Sequence, residues 1–421
     1  MRKAFSAVVL ALVGAACALL AGCGLGLEPV VQLVTNRAEM AAYVDRFNAL
    51  QSEVKVTVAY QETPYQAVLD GVGGDLVIGE SLSTPAIMDH MDGVGDLVKP
   101  GGKIDSSQFY QRLLAMGSRD NRPVLVPLSF SLPSIVYKRL PIDSDIPAMF
   151  MPMDLLQSKG RLFNDAEKSG ALTAVGFSPL WNGDFLTSAA LLTGAKIGAR
   201  RNGTVQWDEA GLRKTVDLVH AWTAVTNGNA EADATFASRV SVQPWFRRLS
   251  SGVTRFELVS FTDLVGLPEE ERRDFDFRWL AQSGASATDS VVPVLDNVLF
   301  AGVLRTARNK SGARAFLQWL CTVPVQQGLL GVNQSRRIGV FGITNGFSAL
   351  KTINEKDLPQ KYTILLGHVP LESFLVFPET LPDNWVRIRD GVIEPWILDA
   401  AKGSTQALES RLSDWQEAQK K

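Results

Sequence analysis

The feature that most constrains the fold is an alternation of apolar strands and amphipathic helices near the start of the chain. Residues 30–34 form an apolar run, residues 37–50 carry apolar side chains at helical spacing, and residues 54–60 alternate between apolar and polar side chains. A helix-length stretch at 62–69 and an apolar strand at 75–79 follow. This order implies a parallel sheet with right-handed crossovers, so we predict an α/β fold.

Two long extended segments indicate that the chain passes between two lobes. Residues 124–137 contain two prolines, and residues 291–304 contain Pro293 and Asn297. Such segments suit strands that leave one lobe and enter another. New strand-like and helix-like runs lie between them. At 421 residues and 46% hydrophobic composition, the chain is long enough for two lobes.

The N-terminal segment predicts export. Arg2 and Lys3 precede an uncharged, mostly apolar run at residues 4–21, as in a secretory signal. The segment Leu20-Ala21-Gly22-Cys23 resembles the lipobox of bacterial lipoproteins. That resemblance implies a signal peptide at 1–22, lipid on Cys23, a tether at 23–29 and a place in the bacterial cell envelope, facing the periplasm or the exterior. A transmembrane helix is the alternative, because the run approaches the roughly 20 residues that span a bilayer.

Cysteine, histidine and charge usage exclude several classes of protein. Cys321 is the one cysteine after Cys23, so no disulfide can form within the exported domain, and we expect a buried thiol. The formal net charge of −2 gives no electrostatic reason to bind nucleic acid. The three histidines are far apart in sequence, so we expect neither a metal site nor a cofactor.

Several motifs occur in an order that resembles the family 1 extracellular solute-binding proteins of ABC importers, the maltodextrin-binding group. They are Gly74-Asp75-Leu76-Val77, the run VPLSFSLPSIVYK at 126–138, ARAFLQWL at 313–320 and Val392-Ile393-Glu394-Pro395-Trp396. The resemblance covers nearly the whole exported chain. Residues 138–139 and 255–263 depart from the family pattern, so the identity of the ligand does not transfer.

The resemblance implies a two-lobed periplasmic-binding-protein fold of type II, each lobe a mostly parallel sheet flanked by helices. It places residues 30–128 and 300–345 in the N-terminal lobe, and residues 129–299 and 346–421 in the C-terminal lobe. A monomer would close by a hinge on a small polar ligand, a sugar or oligosaccharide, and deliver it to a membrane permease. No enzymatic activity is expected.

Candidate ligand-binding residues follow from strand ends, crossing strands and aromatic positions. In open α/β sheets, ligands bind beyond the carboxyl ends of the strands, and sugars are held by aromatic faces with polar groups around them. The candidates are Asn36, Arg37, Glu80, Ser129, Ser131, Trp181, Trp245, Phe261, Asp263 and Asn297. For the strand-end residues the alternative role is helix capping, and for the tryptophans it is packing in the core.

Two other function classes stay open at this stage. The chain has no Gly-x-Ser-x-Gly, His-Glu-x-x-His or Walker-type phosphate loop. A secreted glycoside hydrolase would need only two carboxylates in a cleft. A surface interaction lipoprotein could use the same scaffold without a small ligand.

Overall fold

The structure, a computed structural model, describes residues 30–284, 291–369 and 371–420. The predicted signal peptide, Cys23 and the tether lie outside these ranges. Within them, no helix is both long enough and apolar enough to cross a membrane.

The first sheet contains the strands that the N-terminal alternation predicted. In the described ranges it has six strands, in the order Phe347–Ser348, Val126–Phe130, Leu299–Val303, Leu76–Gly79, Val31–Thr35 and Val56–Tyr60. The last three run parallel to one another, and Leu299–Val303 is antiparallel to both of its neighbours. Every residue of Leu76–Gly79 is buried, as expected of a parallel strand covered on both faces. The prediction of an α/β fold is confirmed.

The second sheet is reached directly from the first. Its four described strands have the order Phe150–Pro152, Phe275–Ala281, Pro133–Lys138 and Phe256–Ser260. Pro133–Lys138 runs antiparallel to both of its neighbours, and Phe150–Pro152 is parallel to Phe275–Ala281. Because the chain leaves the first sheet at Phe130 and enters the second at Pro133, the extended segment does cross between lobes.

Helices cover both sheets. Those before residue 130 and between 310 and 361 are Met40–Leu50, Pro64–Leu69, Pro85–Met88, Gln111–Met116, Lys310–Leu320, Val323–Ser335 and Leu358–Lys361. The other α-helices are Met153–Phe163, Gly183–Leu192, Glu209–Ala221, Ala230–Val240, Trp245–Ser251, Phe261–Gly266, Glu269–Arg272, Trp385–Ile388, Glu394–Ala401 and Leu408–Ala418. Short paired strands are Val98–Lys99 with Ile104–Asp105, Ser118–Arg119 with Arg122–Pro123, Asp165–Ala166 with Leu172–Ala174, Ile197–Ala199 with Val205–Trp207, and Val292–Pro293 with Leu375–Val376.

The first helix shows how apolar spacing becomes packing. Met40–Leu50 buries Phe47, whose ring lies edge-on to Phe316 at 5.1 Å and to Trp319 at 5.2 Å. Such aromatic pairs add about 0.5–1.5 kcal/mol each beyond the burial of their area. Cys321, which follows the helix Lys310–Leu320 that holds these two rings, is a free and buried thiol, as predicted.

Asp184 and Asp208 each stand at the start of an apolar helix-like run, a pattern that predicts a helix cap, and the structure confirms this for one of the two. Asp208 caps Glu209–Ala221, because its carboxylate accepts from the backbone N–H groups of Ala210 and Gly211. Asp184 does not cap Gly183–Leu192, because Asn182 does so by accepting from the Phe185 N–H. Asp184 instead lies in the first turn of that helix.

An aromatic cluster joins the two sheets. Phe261, which follows the second-sheet strand Phe256–Ser260, contacts Phe277 and Trp279 on its own sheet and Phe341 and Phe347 on the side of the first sheet, with ring centroids 5.0–5.6 Å apart. Phe347 and Ser348 pair with Phe130 and Ser129, so the first sheet continues to Ser348. The sequence had placed the boundary of the N-terminal lobe earlier, at residue 345. The division into lobes by residue number stays a prediction.

Candidate ligand-binding cleft

A cavity of about 210 Å³ lies where strands of the two sheets meet. The first sheet supplies residues at its strand ends, the crossing strands supply the floor, and the second sheet supplies a facing wall. The lining residues are Arg37, Glu80, Ser129, Phe130, Ser131, Ser260, Thr262, Asp263, Asn297, Leu299, Thr344 and Asn345. The strands ending at Thr35 and Gly79 are parallel, so their carboxyl ends share one edge of the sheet, as the site prediction required.

An ion pair forms the wall on the side of the first sheet. The Arg37 guanidinium donates to Oε1 of Glu80, and the two side chains are 20% and 37% exposed. The backbone N–H of Arg37 donates to Oγ1 of Thr35 at 3.1 Å, which fixes the turn after the strand. Nε of Arg37 is buried and has no hydrogen-bond partner among the described residues. Arg37 therefore contains one buried N–H donor whose hydrogen bond is not satisfied within the described residues.

A tight turn forms a second part of this wall. The backbone N–H groups of Ile343 and Gly346 each donate to the other residue's carbonyl, at 3.0 and 3.1 Å. Thr344 and Asn345, between them, have φ of +49° and +60°. Asn345 adopts the left-handed conformation readily, but a β-branched residue such as Thr344 rarely does. The strain costs on the order of 1–3 kcal/mol and is held by the surrounding structure.

The second sheet contributes a short polar wall. Oγ of Ser260 donates to Oδ2 of Asp263 at 2.8 Å and accepts from the Asp263 backbone N–H at 3.2 Å. This reciprocal bond holds the Asp263 carboxylate at the start of the helix Phe261–Gly266. Its other oxygen, Oδ1, accepts no hydrogen bond from the described residues, so it remains free to accept one from a ligand.

Six of the ten predicted site residues line this cavity. They are Arg37, Glu80, Ser129, Ser131, Asp263 and Asn297. They come from five different parts of the chain, and only the pairing of the strands brings them together. Their contact with a ligand remains a prediction.

The other four predicted residues are placed elsewhere by the fold. Asn36, next to Arg37, donates through Nδ2 to the Glu62 carbonyl at 3.2 Å and does not line the cavity. Phe261 is 1% exposed, so it is a core residue of the aromatic cluster and its ring faces no cavity.

Both predicted tryptophans are also engaged away from the cavity. Nε1 of Trp181 donates to Oδ1 of Asp233 at 2.8 Å, and the Trp181 ring stacks on Phe236 at 5.6 Å. Trp245 packs against Phe246 and Phe275, with ring centroids 5.8 and 5.7 Å away. Packing in small apolar clusters, the alternative weighed for tryptophans, describes both of them.

Four polar lining residues were missed by the sequence argument. Ser260, Thr262, Thr344 and Asn345 belong to no motif of the resemblance. The Asn345-Gly346 pair was the one available signal, since this dipeptide marks a turn, although the two central residues of the turn are Thr344 and Asn345. It does not reveal which sheet edge the turn will reach.

A buried acidic group lies beside the cavity. Asp296, next to the lining residue Asn297, accepts from Arg389 Nη1 at 2.8 Å and from the indole N–H of Trp385. Burial raises the pKa of Asp184, and the nearby negative charge of Asp296 raises it further. Burial also raises the pKa of Glu394 to about 7. These carboxylates form part of the lobe's internal structure, with Arg389 as their common counter-ion.

Two larger cavities have less suitable positions. One of about 740 Å³ lies at the amino ends of the parallel strands, where Gln32, Gly74 and Asp75 are found. Another of about 350 Å³ lies between Arg112 and residues 376–380. Neither lies at the carboxyl ends of the strands, where open sheets of this kind bind ligands. Across the described ranges, no group of three or more His, Cys, Asp or Glu residues is arranged to hold a metal ion.

Comparison with known proteins gives a result for the fold. No family model and no curated protein matches the chain. Among solved structures, a sugar transporter from Rhizobium etli in an open conformation superposes with a TM-score of 0.63 at 14% identity, covering 92% of this chain and 98% of that one. The sugar-binding protein MalE from Xanthomonas citri gives 0.63 at 12% identity, covering 91% and 95%.

A third similar structure contains a bound oligosaccharide. An ABC substrate-binding protein from Listeria monocytogenes in complex with cycloalternan gives a TM-score of 0.61 at 11% identity, covering 91% of this chain and 96% of that one. Each of the three likenesses covers more than nine-tenths of this chain. The fold that the motifs implied is thereby confirmed, and the chain has the two-lobed type II fold of the sugar-binding proteins of ABC importers.

Proposed function

We propose that this chain is the extracytoplasmic, lipid-anchored substrate-binding protein of an ABC importer. It captures a small polar ligand, a carbohydrate, between its lobes and delivers it to a permease. The observation that carries the proposal is the cavity itself, because hydrogen-bonding groups from both sheets and from the crossing strands converge in it. A ligand that bonds to both walls stabilises the closed state over the open one.

The polar lining fits a hydroxyl-rich ligand. Asp263 and Glu80 are acceptors, Arg37 is a donor, and the amides and hydroxyls of the lining are both. Each sugar hydroxyl can donate to a carboxylate while it accepts from a guanidinium or an amide. The structurally similar proteins that bind sugars support this choice of ligand class.

The lipid anchor rests on Leu20-Ala21-Gly22-Cys23. The full chain is expressed in a bacterium beside a Cys23→Ala variant, and both are partitioned between detergent and water. We expect the unaltered protein in the detergent phase and the variant in the aqueous phase or retained as precursor. Equal partitioning of the two proteins would contradict the anchor.

Ligand capture is tested by thermal unfolding of residues 24–421, after unfolding and refolding to strip any bound ligand. The panel contains mono- and oligosaccharides, polyols, amino acids and peptides. A ligand at 100 times its Kd adds roughly 2.7 kcal/mol of stability. We expect a rise in Tm with one carbohydrate class and no products on incubation. A panel without any rise would point to the surface interaction lipoprotein, and product formation would point to the hydrolase.

A further inference from the structure

The cavity presents almost no apolar surface to a ligand. Ten of its twelve lining residues are polar or charged, the exceptions being Phe130 and Leu299. Phe130 is 2% exposed, and its ring contacts Tyr110 at 5.1 Å and Phe347 at 5.8 Å. Its faces are therefore occupied by other core rings, and the described lining offers no free aromatic platform.

Aromatic platforms matter most for long carbohydrate chains. Each ring of an oligosaccharide has an apolar C–H face, and a flat aromatic side chain covers such a face at low entropic cost. Where no platform is available, binding energy comes from hydrogen bonds, which favour a ligand surrounded by hydroxyl groups. The cavity of about 210 Å³ also falls below the roughly 300–1,000 Å³ of pockets that enclose drug-sized ligands.

The turn beside the cavity is firmly held. Oγ1 of Thr344 lies 2.6 Å from Oγ of Ser129, and Thr344 is 2% exposed. A Cβ built on Gly346 would lie 2.8 Å from the Phe130 carbonyl oxygen, so the turn is pressed against the crossing strand. This part of the wall therefore moves with the crossing strand and not independently of it.

The charges of the lining favour an uncharged ligand. Arg37 is already paired with Glu80, and Asp263 is a second carboxylate on the opposite wall. An anionic ligand would face two carboxylates with one guanidinium, and that guanidinium is already neutralised. The Glu80 carboxylate is likewise already paired with Arg37, so it offers little attraction to an ammonium group.

We infer that the cleft selects a compact, uncharged, polyhydroxylated ligand of about one sugar ring and discriminates against oligosaccharides and sugar acids. The inference rests on the proposed function and specifies its substrate class. It sets this chain apart from the similar structure that holds cycloalternan.

The test is calorimetric titration of stripped residues 24–421 with matched series. These are glucose, maltose and maltotriose; mannose, mannobiose and mannotriose; glucuronate and glucosamine beside glucose; and myo-inositol. We expect one monosaccharide or cyclitol to bind. The corresponding trisaccharide and sugar acid should bind with at least tenfold lower affinity. A trimer that binds as tightly as its monomer, or an acid or amine that binds tenfold tighter than the neutral sugar, overturns the inference alone. If no compound of this series binds and the broader thermal-unfolding panel also shows no rise in Tm, the proposed function is wrong as well.

Variants separate hydrogen bonding from stacking. Asp263→Asn should lower the affinity for the best-binding ligand at least tenfold. Trp245→Leu and Trp181→Phe should each change that affinity less than twofold. Thermal unfolding of each free variant confirms that it is folded. If either tryptophan variant is folded and loses tenfold in affinity, an aromatic platform operates and the inference is wrong.

Discussion

The hydroxyls of Ser129 and Thr344 lie 2.6 Å apart, although 215 residues separate them in sequence. Ser129 lies on the first crossing strand, and Thr344 lies in the left-handed turn that borders the cavity. Both side chains are buried, at 3% and 2% exposure. This hydrogen bond therefore joins the floor of the cleft to its wall.

Removing one of these two hydroxyls should destabilise the protein. Thr344→Val keeps the shape of the side chain but leaves the Ser129 hydroxyl without that partner, at a cost of about 1–3 kcal/mol. Ser129→Ala should cost a similar amount. The two residues share one hydrogen bond. The stability lost in the double variant should therefore be smaller than the sum of the two single losses by about 0.5–1.5 kcal/mol. Urea unfolding of the four proteins measures this coupling, and strict additivity would show that the bond contributes nothing.

The Arg37–Glu80 pair should matter far more for binding than for folding. Both side chains are partly exposed, and exposed ion pairs contribute about 0–1 kcal/mol. Glu80→Gln should therefore lower the free energy of unfolding by less than about 1 kcal/mol. We expect Glu80→Gln to lower the ligand affinity at least tenfold, because one acceptor for the ligand hydroxyls is lost. Arg336→Gln, which breaks the exposed pair with Asp45, is the control. If Glu80→Gln and Arg336→Gln bind the ligand with equal affinity, Glu80 does not contact the ligand.

Phe261 should behave as a core residue and not as a ligand contact. Its ring is 1% exposed and contacts four other aromatic rings. Phe261→Ala should cost about 3–5 kcal/mol of stability, and Phe261→Leu substantially less. In chemical denaturation the two variants should rank in that order. In calorimetry, Phe261→Leu should bind the ligand as tightly as the unaltered protein. A tenfold loss of affinity would indicate that Phe261 contacts the ligand.

Stability should rise as the pH falls through neutrality. Burial raises the pKa of Glu394 from 4.5 to about 7, partly offset by Arg389, whose Nε is 3.6 Å away. Asp390 and Asp184, also nearby, raise the pKa further. A raised pKa in the folded state means that the folded protein binds the proton more tightly than the unfolded chain does. The contribution of Glu394 to the free energy of unfolding is full below pH 4.5 and is lost as the pH rises through about 7.

The size of this effect follows from the shift. At about 1.4 kcal/mol per pKa unit, Glu394 accounts for on the order of 3 kcal/mol between its two protonation states. Glu394→Gln should flatten the dependence of the free energy of unfolding on pH between about 5 and 8. Glu409→Gln, the same carboxylate-to-amide change in the first turn of Leu408–Ala418, is the matched control. Parallel pH profiles for the unaltered protein and Glu394→Gln would contradict the raised pKa.

Local patterns in the sequence were sufficient for the first strands and helices, for the crossing segments and for the class of fold. The apolar run at Leu76–Gly79 and the helical spacing of Met40, Val44 and Phe47 are short-range signals, and the structure confirms both. The two prolines of the segment at 124–137 likewise marked the passage between sheets. Residues at the ends of parallel strands could be assigned to the cleft because strand direction alone fixes the edge at which they lie.

Composition and local pattern could not decide which rings and turns face a ligand. Trp181 lies in a polar turn, and the fold directs its indole N–H to Asp233, which is 52 residues away. Thr344 reaches the cavity because the chain returns to the first sheet at Phe347, long after Ser129 has formed the floor. The sequence by itself determined the secondary structure, the two-sheet fold and six of the residues that line the cleft. Tertiary structure decided the remaining lining and the lack of a free aromatic face, because these depend on contacts between residues tens to hundreds of positions apart.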